Sequence, residues 1–132
     1  MQYEPGLDRN ALIDLAVHRY FAAVDRKDIE AALACFHDEA LFTVQTSFTR
    51  HAGKAAIRRM FEDFLGAYAT IVHRDFTCTV DAANGRVAAS FEAVLTAADG
   101  SMTRLTNTNF WRVRDGKFQE VYVYMSGANV LI

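Results

Sequence analysis

The stretch Asn109-Phe110-Trp111-Arg112-Val113-Arg114-Asp115-Gly116-Lys117-Phe118 decides the fold of this chain. At its centre, Asp115-Gly116 is a dipeptide that tolerates the positive φ a tight hairpin demands. On either side, residues 102–114 and 117–126 read as strands. Working outward, Asp99-Gly100 repeats the signal between 86–98 and 102–114, and Asn84-Gly85 repeats it between 71–80 and 86–98. Three hairpins in succession predict a four-stranded antiparallel meander.

The first half of the chain has a different period. Asp8 is a good N-cap, and Leu12, Leu15, Ala16, Tyr20 and Ala23 follow at helical spacing, with Val17, Phe21 and Val24 widening the stripe. This helix is expected to end around Asp25-Arg26-Lys27. Asp28 then caps a short second helix, Ile29 to Phe36, and His37-Asp38-Glu39 reads as a polar break. Ala40 to Thr46 reads as a strand. Gly53 precedes a third helix, with Ile57, Phe61, Phe64, Leu65 and Tyr68 on its buried side and Arg58, Arg59, Glu62 and Asp63 on its wet side. The order α-α-β-α-β-β-β-β predicts an α+β fold with helices covering one face of a curved sheet.

Composition narrows the function. The 132 residues suit one domain spanning 1–132. An apolar fraction of 52% and a net charge of −2 exclude a disordered chain and leave no basic excess for a dedicated nucleic-acid binder. No apolar run approaches the ~20 residues of a membrane span. Met1-Gln2-Tyr3-Glu4-Pro5 lacks the basic and apolar segments of a secretory signal. Cys35 and Cys78 stand too far apart in sequence for a redox or metal pair and read as buried thiols of a reducing compartment, so the expected location is cytoplasmic.

Three stretches carry a family resemblance: His18-Arg19-Tyr20-Phe21 through Val24-Asp25-Arg26-Lys27-Asp28-Ile29-Glu30-Ala31-Ala32-Leu33, then Gly53-Lys54-Ala55-Ala56-Ile57, then Asn109 to Phe118. Together with the element order they resemble the nuclear transport factor 2-like superfamily, and within it the SnoaL-like domain. The resemblance implies a cone-shaped domain with a pocket between sheet and helices, often forming homodimers. That superfamily holds enzymes, transport adaptors and binding domains, so function has to be argued from the site.

Ketosteroid isomerase, one such relative, uses a carboxylate base together with a tyrosine and a protonated aspartic acid. Tyr20 matches the tyrosine, but the base position falls at Val44 and the second donor at Thr108, which excludes that enzyme's carboxylate-based proton abstraction here. The chain is closer to scytalone dehydratase. By that resemblance Asp25 matches a helix acid, His73 a strand histidine in Val72-His73-Arg74-Asp75-Phe76, and Asn107 an asparagine ahead of Asn109-Phe110-Trp111. The family's neighbouring tyrosine falls at Val24 and its second histidine has no counterpart.

As chemistry these residues form a unit. A carboxylate beside an imidazole fixes its tautomer and raises its basicity, and an imidazole suits proton transfer near neutrality. An amide holds a substrate oxygen without adding charge. The catalytic candidates are therefore His73, Asp25, Tyr20 and Asn107. Trp111, Asn109, Phe61 and Tyr68 are expected to bind substrate. Each also has a plain structural reading: Asp25 as a solvated helix end, Tyr20 as a core tyrosine, and the asparagines as satisfied polar groups. Strand alternation puts His73 with Asp75, Thr77 and Thr79, opposite Phe76, Cys78 and Val80, unless a bulge reverses the parity. His18, His37 and His51 show no ligand spacing, and neither metal nor cofactor is expected. The expected function is a cofactor-free lyase, isomerase or cyclase on a small, partly hydrophobic molecule of aromatic or polyketide-like type. The alternatives are a non-catalytic ligand-binding or dimerisation domain, and an accessory subunit like the small subunit of ring-hydroxylating dioxygenases. The expected partner is a second copy, docked through the sheet, since the outer sheet face and the apolar tail Ala128-Asn129-Val130-Leu131-Ile132 read as exposed surface that seeks cover.

Overall fold

The computed structural model describes residues 4–132. Met1–Tyr3, where the segment read for a signal begins, lie outside the described residues. Helix α1 runs in three consecutive segments: α-helical Arg9–Ile13, π-helical Asp14–Arg19 and α-helical Tyr20–Asp25. Asp8 caps it by accepting from Ala11 N–H at 2.9 Å. The π-helical stretch explains the broad apolar stripe. In an α-helix, positions five apart are rotated by ~140°, but the wider turn brings Tyr20 beneath Leu15 and Phe21 beneath Ala16. The Tyr20 N–H bonds to the Leu15 carbonyl, and all four residues are buried.

Helix α2 (Ile29–Leu33) is capped by Asp28, which accepts from Ala31 N–H at 3.0 Å. It stops three residues earlier than the sequence predicts. Phe36 already belongs to strand β1 (Phe36–Val44), paired with Phe118, and the Phe118 N–H bonds to the Cys35 carbonyl at 2.7 Å. The polar His37-Asp38-Glu39 segment is thus strand, bulged out of the ladder between Phe36 and Leu41. A strand the sequence reading omits follows, β2 (Thr49–Ala52), which turns back on β1 through Gln45–Ser47. Helix α3 spans Lys54–Ala67 and buries Ile57, Met60, Phe61, Phe64 and Leu65. Tyr68 lies past its end, in extended backbone.

The meander is β3 (Thr70–Asp81), β4 (Arg86–Thr96), β5 (Met102–Arg114) and β6 (Lys117–Tyr124). Asp115 (φ 49°) and Gly116 (φ 76°) both adopt the left-handed conformation of a two-residue hairpin. The sheet order is β2-β1-β6-β5-β4-β3, antiparallel except for the parallel pair β1–β6. The helices pack on the inner face over a core holding Trp111, Phe36, Phe42, Phe61 and Phe118.

Cys35 is buried and Cys78 half-buried, both as free thiols. Among the described residues no helix is long and apolar enough to cross a membrane, and no group of three His, Cys, Asp or Glu side chains is placed to hold a metal ion. Val130 and Leu131 fold back onto the domain's own core, leaving Ile132 as the exposed apolar end.

Candidate active site

The site begins with a break in strand β3. Arg74 pairs with Glu92 and Thr77 with Ser90, so Asp75 and Phe76 together oppose one residue, Phe91. This is a bulge, and its first residue, Asp75, sits at φ 60°. The extra residue resets the alternation. Ile71 and His73 face inward before the bulge, and Phe76, Cys78 and Val80 face inward after it, while Asp75, Thr77 and Thr79 face solvent. The uninterrupted parity, which puts His73 with Asp75 and the threonines, is corrected.

The side chain of His73 is 8% exposed and stacks on Phe21, with ring centroids 4.3 Å apart. Phe91 closes its other edge at 5.5 Å. Asp25, the last residue of α1, holds it at two points. Oδ2 accepts the His73 backbone N–H at 2.9 Å, and Oδ1 meets ring Nδ1 at 2.6 Å. One carboxylate thereby fixes both the strand and the imidazole plane. It selects the tautomer with the proton on Nδ1, which leaves the Nε2 lone pair free. Among the described residues Nε2 has no protein partner.

His73 lines a narrow cavity with Tyr20, Phe61, Asn107 and Asn109, walled by Phe21, Phe91, Leu105 and Met125. Tyr20 enters from the helix side, surrounded by Phe21, Phe36, Phe61, Trp111 and Phe118. Burial pushes its phenol far above the ordinary value of 10.0, with smaller contributions from Cys35 and Asp25, so it remains an O–H donor. From the sheet side come Asn107 (5% exposed) and Asn109 (3%), two apart on one face of β5. The Ser126 N–H donates to Asn107 Oδ1 at 3.3 Å, which turns that amide's N–H₂ toward the cavity. Asn109 Oδ1 is buried without a protein partner, an unmet acceptor of the kind that calls for a ligand or water.

Four predicted residues thus share one cavity with His73: Tyr20, Asn107, Asn109 and Phe61. Three do not line it. Asp25 stands behind His73, because the helix ends there and its carboxylate is spent on the strand. Trp111 lies deeper in the core, two residues further along β5, with Nε1 unpartnered. Tyr68 faces a separate surface hollow with Asp63, Asn129 and Ile132, since α3 has ended before it. Sequence reasoning left Phe21 as a core residue, although it is the platform for the imidazole. It also passed over His51, which is buried and has Nε2 2.9 Å from the Leu131 carbonyl. A lone histidine in the short strand β2, just ahead of α3, gives no sequence signal for such a bond. The open space inside the cavity is about 30 Å³, far below the ~150 Å³ of an apolar cavity that admits benzene.

Comparison with known proteins agrees with this architecture. The family model described as SnoaL-like domain matches residues 17–121. A protein from Xanthomonas campestris pv. campestris assigned as a polyketide cyclase is 26% identical, with 88% of this chain and 90% of that one covered and a TM-score of 0.75. One from Novosphingobium aromaticivorans assigned as an aromatic ring hydroxylase is 25% identical, covering 92% and 90%, with a TM-score of 0.79. A Kribbella flavida protein assigned as a ketosteroid isomerase shares the fold at 20% identity, 91% and 81% coverage and a TM-score of 0.70. No curated protein sequence matches the chain.

Proposed function

This chain belongs to the SnoaL-like domain family, and from that premise we propose that it is a cofactor-free lyase, isomerase or cyclase. Its substrate is a small, neutral, partly hydrophobic molecule of aromatic or polyketide-like type. The observation that carries this reading is the Asp25–His73 pair: an imidazole oriented by a carboxylate, desolvated on one side, with Nε2 available at an apolar cavity. His73 Nε2 takes a proton from carbon or oxygen and returns it elsewhere on the substrate. Asp25 stabilises the imidazolium formed in between, as a carboxylate can and an amide cannot. Tyr20 and the Asn107 amide donate to the oxygen on which negative charge builds. No charged side chain lines the cavity among the described residues, which favours a neutral ligand.

The test is hydrogen exchange into small aryl ketones and polyketide-like diketones in D₂O, followed by NMR. Enzyme-dependent deuteration that disappears in His73→Gln supports the reading. Deuteration unaffected by that substitution sinks it.

A second reading, a binding domain without chemistry, draws on the small free volume of the cavity. It is separated from the first by a ligand that raises the melting temperature in wild type and His73→Gln alike and is recovered unchanged.

The partner we propose is a second copy of the chain, docked through the outer sheet face. There Phe110 and Tyr124 form a ring pair, 46% and 42% exposed, and Met102 is 53% exposed. Arg74, Arg104 and Glu92 supply both signs of charge on the same sheet, as a self-complementary surface needs.

A further inference from the structure

We propose that Ser126 is the positioning residue for the Asn107 amide, and that the segment it begins, 126–132, is the movable wall through which ligand enters. The inference rests on the reading of the cavity as a ligand site and adds how that site opens.

The argument starts from volume. About 30 Å³ of open space cannot receive a molecule of ring size, so one wall has to move. Most walls are costly to move. Tyr20, Phe21 and Val24 stand on α1, Phe61 and Phe64 on α3, and Phe42, His73, Phe91, Leu105 and Val123 on ladder-bonded strands. The exception is the coil after β6, which contributes Met125, Val130 and Leu131.

Side chains rather than a ladder hold that coil. The Met125 N–H reaches Thr46 Oγ1 at 3.3 Å, Asn129 Nδ2 donates to Thr49 Oγ1 at 3.1 Å, and the Leu131 N–H donates to Asn129 Oδ1 at 2.8 Å. His51 Nε2 holds the Leu131 carbonyl at 2.9 Å. Such bonds contribute little net free energy each, and segments held in this way open well below the global unfolding free energy. The coil also fits closely. A Cβ at Gly127 would come within 2.8 Å of Leu105 Cδ2, itself a cavity wall.

Ser126 links this wall to the chemistry. Its Oγ accepts the Thr106 N–H at 2.9 Å while its own N–H occupies Asn107 Oδ1 at 3.3 Å. When the segment is seated, Asn107 presents N–H₂ to the cavity. When it lifts, the amide is free to turn and present its oxygen. Closure therefore restores the donor at the same moment that it seals the ligand from water.

The test uses the full chain and 2-acetylnaphthalene, a neutral aryl ketone. Binding is followed by quenching of Trp111, the one tryptophan of the chain, and hydrogen bonding by the infrared carbonyl band of the probe. Asn129→Ala, which removes the tie to Thr49 and a bond that shapes the segment itself, is expected to raise the association rate at least fivefold. It should also speed hydrogen exchange at the Ser126 and Leu131 amides about tenfold, with the β5–β6 ladder unchanged. Ser126→Pro, which deletes the N–H, is expected to reduce the downshift of the carbonyl band to the part Tyr20 alone supplies, as Asn107→Leu does, while the probe still binds. Where Ser126→Pro fails to fold, Ser126→Ala, which keeps the N–H but removes the Oγ that seats the segment on Thr106, should loosen the wall and weaken the downshift. Unchanged association and exchange in folded Asn129→Ala, or a downshift undiminished in the Ser126 variants, overturns the proposal. Should the probe enter no variant, exchange in the wild-type chain decides. Ser126 and Leu131 amides as protected as the ladder overturn the movable wall. Amides exchanging tenfold faster or more uphold it and put the failure on the cavity as a ligand site.

Discussion

His73 and Phe76 stand three residues apart on one strand, yet both side chains face the core, because Asp75 occupies the left-handed region between them. This relationship makes the first prediction. Asp75→Gly relieves a positive φ at an exposed position and is expected to leave stability within about 1 kcal/mol. Asp75→Val forces a β-branched residue into that conformation and should cost roughly 1–3 kcal/mol. Urea denaturation of the two variants measures the contrast, and equal midpoints would contradict the role given to the bulge.

Asp25 and His73 act as one unit in the proposed chemistry. His73→Ala is expected to lower the rate of proton transfer by ~10²–10⁴-fold. Asp25→Asn should lose nearly as much, since an amide neither selects the Nδ1–H tautomer nor stabilises the imidazolium. The double variant should be little worse than either single one. Additive losses in steady-state kinetics would show that the two residues act separately.

Asn109 sets function against stability. Its buried, unpartnered Oδ1 carries a desolvation cost of about 1–3 kcal/mol. Asn109→Leu, close in volume, is expected to raise the melting temperature by a few degrees while weakening ligand binding. A lower melting temperature would mean that a buried water already satisfies this oxygen.

Tyr20 gives the chain an alkaline limit. Burial raises the folded-state pKa of the phenol above its unfolded value near 10, so the folded state keeps a proton that the unfolded state loses. Its contribution is fully present below pH 10 and falls above it, by about 1.4 kcal/mol per pH unit. The buried Cys35 thiol, also raised by burial, adds a slope of the same sign. Tyr20→Phe should flatten the decline between pH 10 and 11.5 in denaturant titrations. An unchanged slope would place the alkaline sensitivity elsewhere.

The outer sheet face yields the last prediction. Phe110→Lys combined with Tyr124→Lys should convert a dimer to a monomer by light scattering at micromolar concentration, with little loss of fold, because both side chains are already partly exposed. A wild-type monomer would remove the proposed partner.

Much of this fold is legible in the sequence, because hairpin dipeptides and N-caps act locally. Asp115-Gly116, Asp8 and Asp28 each do what their residue type dictates. Strand β2 and the early start of β1 are not legible, since Phe36–Val44 becomes a strand by pairing with residues some eighty positions away. The site was legible by residue type in His73, Tyr20, Asn107 and Asn109. The orientation of His73 was not, because it depends on a bulge for which Arg74-Asp75-Phe76 carries no glycine. Tyr68 and Trp111 were misplaced because aromatic residues on a predicted inner face resemble pocket walls whether or not space lies beside them.

The π-helical stretch Asp14–Arg19 and the bulge at Asp75 have a shared consequence. Each is a place where the chain carries one residue more than its repeat requires, and the two elements meet at Phe21 and His73. The candidate site is therefore a pair of dislocations in an otherwise regular lattice. Deleting His18 and Asp75 would restore both repeats and bring His73 two places from Phe76, on the same inward face, so the dislocations set the spacing along the strand and helix rather than the face the imidazole takes.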